Sequence, residues 1–530
     1  MKSVLIFLTI LLASAWADAG VLDPPLASKL AGMGPQEELS VIVHLGAQAD
    51  LTQFRPEQKA EMVVELHRVA DETQPSFLSR FEGKLKDVGR FWIFNGFVCT
   101  VRRKVIEELA VQCDAGFVCE NGIFTLEKVE RGTDPGLAGI EWNIRKVRAD
   151  SVWRYRGFTG RGVVVGNIDT GVDVTHPAFG NRWRQQDGWF DAVNGYTSPY
   201  DDNGHGTHVM GTAVGCAPSD TIGVAPEATF IVAKGIDSGG MAQTSWLLYC
   251  FQWYAALSGM GMGAQVVNNS WGGSSLSTVF WQSCRNLQLL GVSLTFSVGS
   301  GMSAPANYPC VFGLGASTRG DTVASFSSRG PAPSGYPWDS SAAWLDPQWG
   351  TRQPLNHIKP DLLVPGVSIR SSYLSHGYAT FDGTSIGTPH LTGAIALLMQ
   401  KNPSLTPAQL WQIITSTCDT FPWGNPYPNY RYGWGRLNCL RAIDATPSGV
   451  WLEPSRLTPH ASRLTVSPNP FTSFTLVPGR ESERFALYDI SGRRVGTYRG
   501  DRIGEGLSPG VYFLKTSDAN SNLLRIVKVR

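Results

Sequence analysis

Along the chain the spacing of apolar residues changes character several times, and each change marks an element or a boundary. Val4 to Ala13 is an unbroken apolar run behind Met1-Lys2-Ser3, and Ala15-Trp16-Ala17 then sets small residues around a large one. That is the layout of an export signal with its cleavage site, placed over residues 1–19; the run is shorter than the ~20 residues a spanning helix needs. Leu39-Ser40-Val41-Ile42-Val43-His44-Leu45 alternates as a strand does, whereas Pro56 to Val88 is charged and spaced as a helix. Phe91 to Val101 reads as a hairpin-like strand pair and Val105 to Val111 as a short helix. Residues 38–129 are therefore expected to form a small α+β domain. Arg131-Gly132-Thr133-Asp134-Pro135-Gly136 follows as a loop open to proteolysis.

A larger pattern begins near Gly139. Arg161-Gly162-Val163-Val164-Val165-Gly166-Asn167-Ile168 is a continuous β-branched run, as in a strand buried on both faces of a parallel sheet. Further strands are expected at Thr229 to Ala233, Ala264 to Asn268, Ser293 to Ser297 and Val311 to Ala316, with helices at Thr244 to Leu257 and Ser277 to Leu290. Alternation of strand and helix predicts an α/β, doubly wound, mostly parallel sheet over 139–445, with its site at the strands' C-terminal ends. Residues 446–463 form a linker containing Pro and Ser. From 464 to 530 short alternating strands at Phe474 to Val477, Arg484 to Asp489, Val495 to Tyr498, Val511 to Thr516 and Leu523 to Val529 predict a small antiparallel β-sandwich.

Composition narrows the function. Lys plus Arg number 45 and Asp plus Glu 44 in 530 residues, so charge gives no case for a nucleic-acid partner. Nine cysteines suit an oxidising compartment and raise the expectation of disulfides; the six from Cys216 to Cys439 alone allow 15 pairings. None shows C-x-x-C spacing, which argues against zinc.

The candidate chemistry lies in Gly383-Thr384-Ser385-Ile386-Gly387-Thr388-Pro389-His390, directly before the apolar run Leu391 to Met399. Small residues put Ser385 at a helix start, where unpaired N–H groups and the dipole face developing negative charge. An acyl-transfer serine also needs a base and an orienting acid. Asp169 ends the first buried strand in Asn167-Ile168-Asp169-Thr170-Gly171-Val172, and His205 opens a helix in Asp202-Asn203-Gly204-His205-Gly206-Thr207-His208. An aspartic protease would need a second Asp-Thr-Gly, which the chain lacks, and no Glu completes H-E-x-x-H. His176, His208 and His390 read as structural.

These three blocks, in this order, resemble the catalytic blocks of the subtilisin-like serine proteases. Val267-Asn268-Asn269-Ser270-Trp271-Gly272-Gly273, Ala324 to Pro331 and Lys359 to Gly366 match further blocks, and together they resemble the bacillopeptidase F-like branch over about Trp142 to Ala445. The resemblance implies Ser385 as nucleophile, His205 as base and Asp169 as its orienting acid. It implies Ser270, Trp271 and Gly272 as one wall of the substrate cleft and Ser297, Val298 and Gly299 as the other. Gly301 stands where the pocket floor can carry an acid, so apolar or aromatic side chains are the expected preference. The oxyanion hole would comprise the Ser385 backbone and Ser300, which stands in place of the usual Asn.

The implied molecule is a secreted serine endopeptidase, a monomer acting on protein or peptide substrates and made as a precursor processed by itself. Residues 38–129 resemble an inhibitor-like propeptide in position, size and pattern. No cofactor is required; relatives often bind structural calcium, but no Asp-rich loop here has a ligand spacing to which one can be assigned. Ser467-Pro468-Asn469-Pro470, Leu487 to Val495 and Leu507 to Lys515 resemble the C-terminal sorting domain of the type IX secretion system, implying outer-membrane export machinery as a partner. The alternative is a low-activity pseudoprotease acting as a surface binding module. Tyr336, Trp338, Trp344 and Trp349 within Pro331 to His357 read as a packed surface loop.

Overall fold

A computed structural model describes residues 21–126, 129–131, 139–218, 220–334, 338, 357–449, 473–477, 480–489, 494–508, 510–516 and 524–528. The expected signal, most of the linker, Tyr336, Trp344, Trp349 and the Ser467 to Pro470 motif lie outside them. The chain divides into two compact units, one of residues 1–122, 258–262 and 457–530, the other of 123–257 and 263–456.

The second unit is built on a seven-stranded sheet. Its order is Leu362–Pro365, Phe312–Ser317, Ser293–Ser297, Val266–Asn269, Val164–Asp169, Thr229–Lys234 and Trp189–Asp191, with every pairing parallel. Helices cover both faces, which is why these strands carry apolar runs instead of alternation. Helix Pro389–Lys401 is buried from Pro389 to Met399 and joins the same core as Val165, Phe230, Val266, Leu314 and Val364. From Val164–Asp169 the chain first adds strands on one side and then crosses to the other. Asp169 thus stands at the point where strand order reverses, where α/β sheets open a crevice.

The two edge strands, Trp189–Asp191 and Leu362–Pro365, are short and were not expected from the sequence. Neither was the antiparallel pair Ile369–Tyr373 and Gly377–Asp382, which delivers the chain to Ser385.

In the first unit a five-stranded sheet runs Val21–Leu22, Ala115–Glu120, Glu38–Leu45, Gly96–Arg102 and Lys86–Phe91, with helices Lys59–Ser79 and Arg103–Ala110. The helix expected to reach Val88 ends at Ser79, because Gly83 takes a φ of 75° and the chain turns into a strand at Lys86. Toward the C-terminus an antiparallel sheet is ordered Arg494–Arg499, Arg484–Asp489, Gly510–Thr516, Leu524–Lys528. The expected sandwich is, among the described residues, this single sheet plus a bridge from Thr475 to Ile503. Val477 and Ile503 close its apolar face over Phe485, Leu487, Leu514 and Ile526, filling the place of a second layer.

No disulfide joins any of the nine cysteines, so the expected bridges are not formed in this structure. Cys99, Cys250, Cys284 and Cys439 are buried on separate elements, where burial disfavours the thiolate. No described helix is long and apolar enough to cross a membrane.

Candidate active site

Ser385 lies in the turn Thr384–Gly387, which Thr388 continues into helix Pro389–Lys401. First-turn N–H groups have no acceptor within the helix, so the Ser385 amide is a donor for an oxyanion. His205 is the first residue of helix His205–Val214, and Asp169 the last of strand Val164–Asp169. His205 Nδ1 is 2.8 Å from Asp169 Oδ1, with the two residues 5% and 0% exposed. Ser385 is also buried, and His205 Nε2 has no hydrogen-bond partner among the described residues.

Two residues that the sequence reading passed over hold this pair together. The Asp201 carboxylate accepts from Thr170 Oγ1 at 2.9 Å, Gly204 N at 2.8 Å, Thr207 N at 2.9 Å and Thr207 Oγ1 at 2.6 Å. It thereby ties the loop after Asp169 to the start of the His205 helix. Lys234 is fully buried and donates to Thr170 O at 2.6 Å, Ile236 O at 3.0 Å and Asp202 Oδ1 at 2.7 Å. Asp201 directly precedes Asp202-Asn203-Gly204-His205 and Lys234 ends the strand Thr229–Lys234, and only the fold turns both toward the loop after Asp169.

Electrostatics separate the histidines. For His205 burial opposes the charged form, but the Asp169 charge and hydrogen bond, with Asp201 behind them, carry its pKa above the ordinary value. His208, one turn later, is pushed down to about 3 by burial, the His205 charge adding to the effect. Its Nε2 meets the carbonyls of Ile369 at 3.2 Å and Ala379 at 3.1 Å. His390 falls to about 4 through burial, and it bridges Gly387 O and Asn143. His176 contacts Gly377 O at 2.8 Å.

The residues expected to form the cleft walls contact the Ser385 turn from two segments. Ser270 Oγ donates to Ser385 O at 2.7 Å, and Trp271 is buried against Phe251, Phe280 and Phe296. Gly299 N donates to Thr384 Oγ1 at 3.2 Å, joining the turn after Ser297 and Val298 to the residue before the nucleophile. Ser328 fastens that turn by donating from its N to Gly299 O and accepting from Met302 N. Ser300 is exposed on it, and Gly301 has open space where a side chain would stand.

Residues 123–126 and 129–131 lie along this cleft. Ile123–Thr125 pairs antiparallel with Met241–Gln243, and Leu126 N donates to Gly240 O at 2.7 Å. The Phe124 ring lies 5.5 Å from that of Phe280 and 6.4 Å from that of Trp271. A Cβ on Gly273 would come within 1.8 Å of the Phe124 ring, so only glycine leaves room for it. Past residues 127 and 128, which lie outside the description, Val129 packs with Ile369, Phe381 and Ile386 beside Gly383. Glu130–Arg131 then pairs with Gly377–Asp382. Met241–Gln243 was not among the residues assigned to the cleft; three residues ahead of a helix are too few to show a strand period.

Trp338, in the aromatic-rich insert, is buried and donates from Nε1 to Asn307 Oδ1 at 3.2 Å. No group of three or more His, Cys, Asp or Glu among the described residues is placed to hold a metal ion.

Comparison with known proteins fits this geometry. The model of the subtilase family, peptidase S8, matches residues 160–435. Bacillopeptidase F of Bacillus subtilis is 31% identical over 444 residues, covering 74% of this chain but only 29% of that protein's length. Subtilisin amylosacchariticus of Bacillus subtilis subsp. amylosacchariticus is 30% identical over 363 residues, 67% of this chain and 82% of its own. Subtilisin Savinase of Lederbergia lenta is 32% identical over 308 residues, 57% of this chain and 98% of its own.

Proposed function

The chain belongs to the subtilase family of serine endopeptidases, and from that membership we propose that it is a secreted endopeptidase made as a precursor that cuts itself. In the proposed reaction Ser385 Oγ forms a bond to the scissile carbonyl carbon while its proton passes to His205 Nε2. The carbonyl oxygen becomes an oxyanion facing the Ser385 N–H and Ser300. The C–N bond then breaks as His205 gives its proton to the leaving amine, and water hydrolyses the acyl-enzyme by the same steps. Asp169 holds the imidazole with Nδ1 protonated and Nε2 free, in keeping with an Nε2 that has no hydrogen-bond partner among the described residues.

The observation that carries this reading is where residues 123–126 and 129–131 lie. Ile123–Thr125 adds a strand to Met241–Gln243 as an extended substrate would, and Val129 packs on Ile386 beside Gly383. The maturation cut is therefore proposed at one of the three peptide bonds between Leu126 and Val129, upstream of the loop at residues 131–136 that the sequence alone favoured. Phe124 between Gly273 and Trp271 makes ring-bearing chains the expected substrate class. The walls Ser270 to Gly272 and Ser297 to Gly299 are proposed to hold the residues nearest the cut.

N-terminal sequencing and intact mass of the full-length wild type and Ser385→Ala test this. Wild type is expected to yield a new N-terminus at Glu127, Lys128 or Val129, and Ser385→Ala to stay uncut. Cleavage there in both, or only elsewhere, would sink the reading; wild-type processing speed in Phe124→Ala would remove the ring preference. The exposed Ser300 favours the second reading, a weakly active surface binding module, and absence of fluorophosphonate labelling on processed protein would select it. Export through an outer-membrane machinery by the tail of residues 464–530 is proposed from its motifs. Equal secretion after deleting that tail would overturn it.

A further inference from the structure

An α-helix pairs each carbonyl with the N–H four residues on. In the turn that carries the nucleophile, Gly387 N donates to Gly383 O at 3.1 Å and Thr388 N to Thr384 O at 3.0 Å. The next carbonyl in the ladder, Ser385 O, would take the N–H of residue 389, which is proline and has none. A buried carbonyl must find a donor elsewhere. It finds one on the sheet: Ser270 Oγ donates to Ser385 O at 2.7 Å, and both residues are buried.

That hydroxyl is itself held. Asn268, two residues back, donates from Nδ2 to Ser270 Oγ at 3.0 Å and to Asn167 Oδ1 at 3.0 Å. Its Oδ1 accepts from Thr392 Oγ1 at 3.1 Å, and Thr392 in turn meets Thr295 at 2.7 Å. Asn167 stands two residues before Asp169 on the same strand, and Thr392 lies on the helix that continues from the nucleophile. One buried amide therefore joins the acid's strand, the cleft wall and the nucleophile's helix, with both of its N–H donors and its oxygen paired. An N–H from residue 389 would have tied the Ser385 turn only to its own helix; a hydroxyl from the wall ties it to the sheet.

We infer that the Ser270 side chain and the Asn268 amide are positioning residues for the nucleophile, replacing the helix donor that Pro389 removes. This rests on the proposed role of Ser385. It gives Ser270 a task apart from lining the cleft, since the wall needs only its backbone.

A double-mutant cycle tests the inference, with catalysis and stability read separately. In processed enzyme, supplied with wild-type protease in trans where self-cleavage is slow, Ser270→Ala is expected to lower kcat on the order of 10- to 10²-fold, the scale of a small misplacement. KM for a short peptide should move little. Pro389→Ala restores an N–H at the right position, so Ser270→Ala should cost less kcat in that background. The same cycle on thermal unfolding uses the Ser385→Ala chain, which keeps the carbonyl and needs no turnover. There, Ser270→Ala should lower Tm more with Pro389 present than in the Pro389→Ala background. Equal Tm losses would overturn the hydrogen-bond assignment. A clear Tm coupling with unchanged kcat would overturn the positioning role. A wild type that never turns over would instead defeat the proposed function, leaving the Tm cycle to decide this inference.

Discussion

Asp169 and His205 are 0% and 5% exposed with their hydrogen bond between them, whereas Ser300, on the other flank of Ser385, stands on an exposed turn. The flank proposed to handle the proton is fastened several times over. Asp201 alone gathers Thr170, Gly204 and Thr207, and Lys234 clamps Thr170 O from behind. The oxyanion flank fixes its backbone through Thr384 and Ser328, yet it presents a short hydroxyl where a longer amide would serve. Buried, fixed dipoles act at low dielectric and need no reorganisation during reaction; exposed ones compete with water. The first flank should therefore lose much from any change, and the second has room to gain.

The largest effect is expected on the buried flank. Asp169→Asn keeps shape but turns an N–H toward His205, favouring the wrong tautomer, and kcat should fall by about 10⁴-fold. Burst titration with an ester substrate gives kcat per active site; a loss below about tenfold would mean that Asp169 does not orient the base. On the exposed flank Ser300→Asn should raise kcat, by up to about 10² to 10³-fold if the amide reaches the oxyanion, because losing such a donor costs about 2.7 to 4 kcal/mol. An unchanged rate on a peptide amide would show that the turn, and not the side chain at 300, limits this flank.

How far the site was legible in the sequence follows the same division. Asp169, His205 and Ser385 each sit at a strand end or helix start, and those local signals survive in one dimension. The parallel sheet was also legible, since burial on both faces writes itself into Val163-Val164-Val165 and Ser293 to Ser297. Edge strands such as Trp189–Asp191 carry too few residues to show a period. Asp201 and Lys234 escaped notice because their function depends on which loop the fold turns them toward. The seat of Phe124 needed three distant pieces, Met241–Gln243, Trp271 and Gly273, none meaningful alone. The sandwich expected at the C-terminus came from strand alternation, which specifies one buried face but not what covers it.

The smallest effect separates two histidines on one helix. His205 has a raised pKa, so the neutral base is lost as pH falls, and the acid limb of kcat/KM should lie above the ordinary ~6.5. In stability its sign is the reverse. A raised folded pKa stabilises below the unfolded value, and that contribution is lost as pH rises through the folded one. His208 is held neutral down to about 3. Unfolding releases it to take a proton below pH ~6.5, so acid should weaken the fold at this residue, by about 2 kcal/mol at pH 5. His390, held down to about 4, adds a similar loss. His44, also pushed down to about 3 by burial, adds to the loss and His205 opposes it, so urea unfolding of the Ser385→Ala chain at pH 7 and pH 5 measures the net effect without self-digestion. His208→Asn should shrink the difference between the two pH values by about 2 kcal/mol even if it lowers stability at both. An undiminished difference would mean that His208 takes up its proton in the folded protein, and that the helix beside the active site is less tightly closed than its burial indicates.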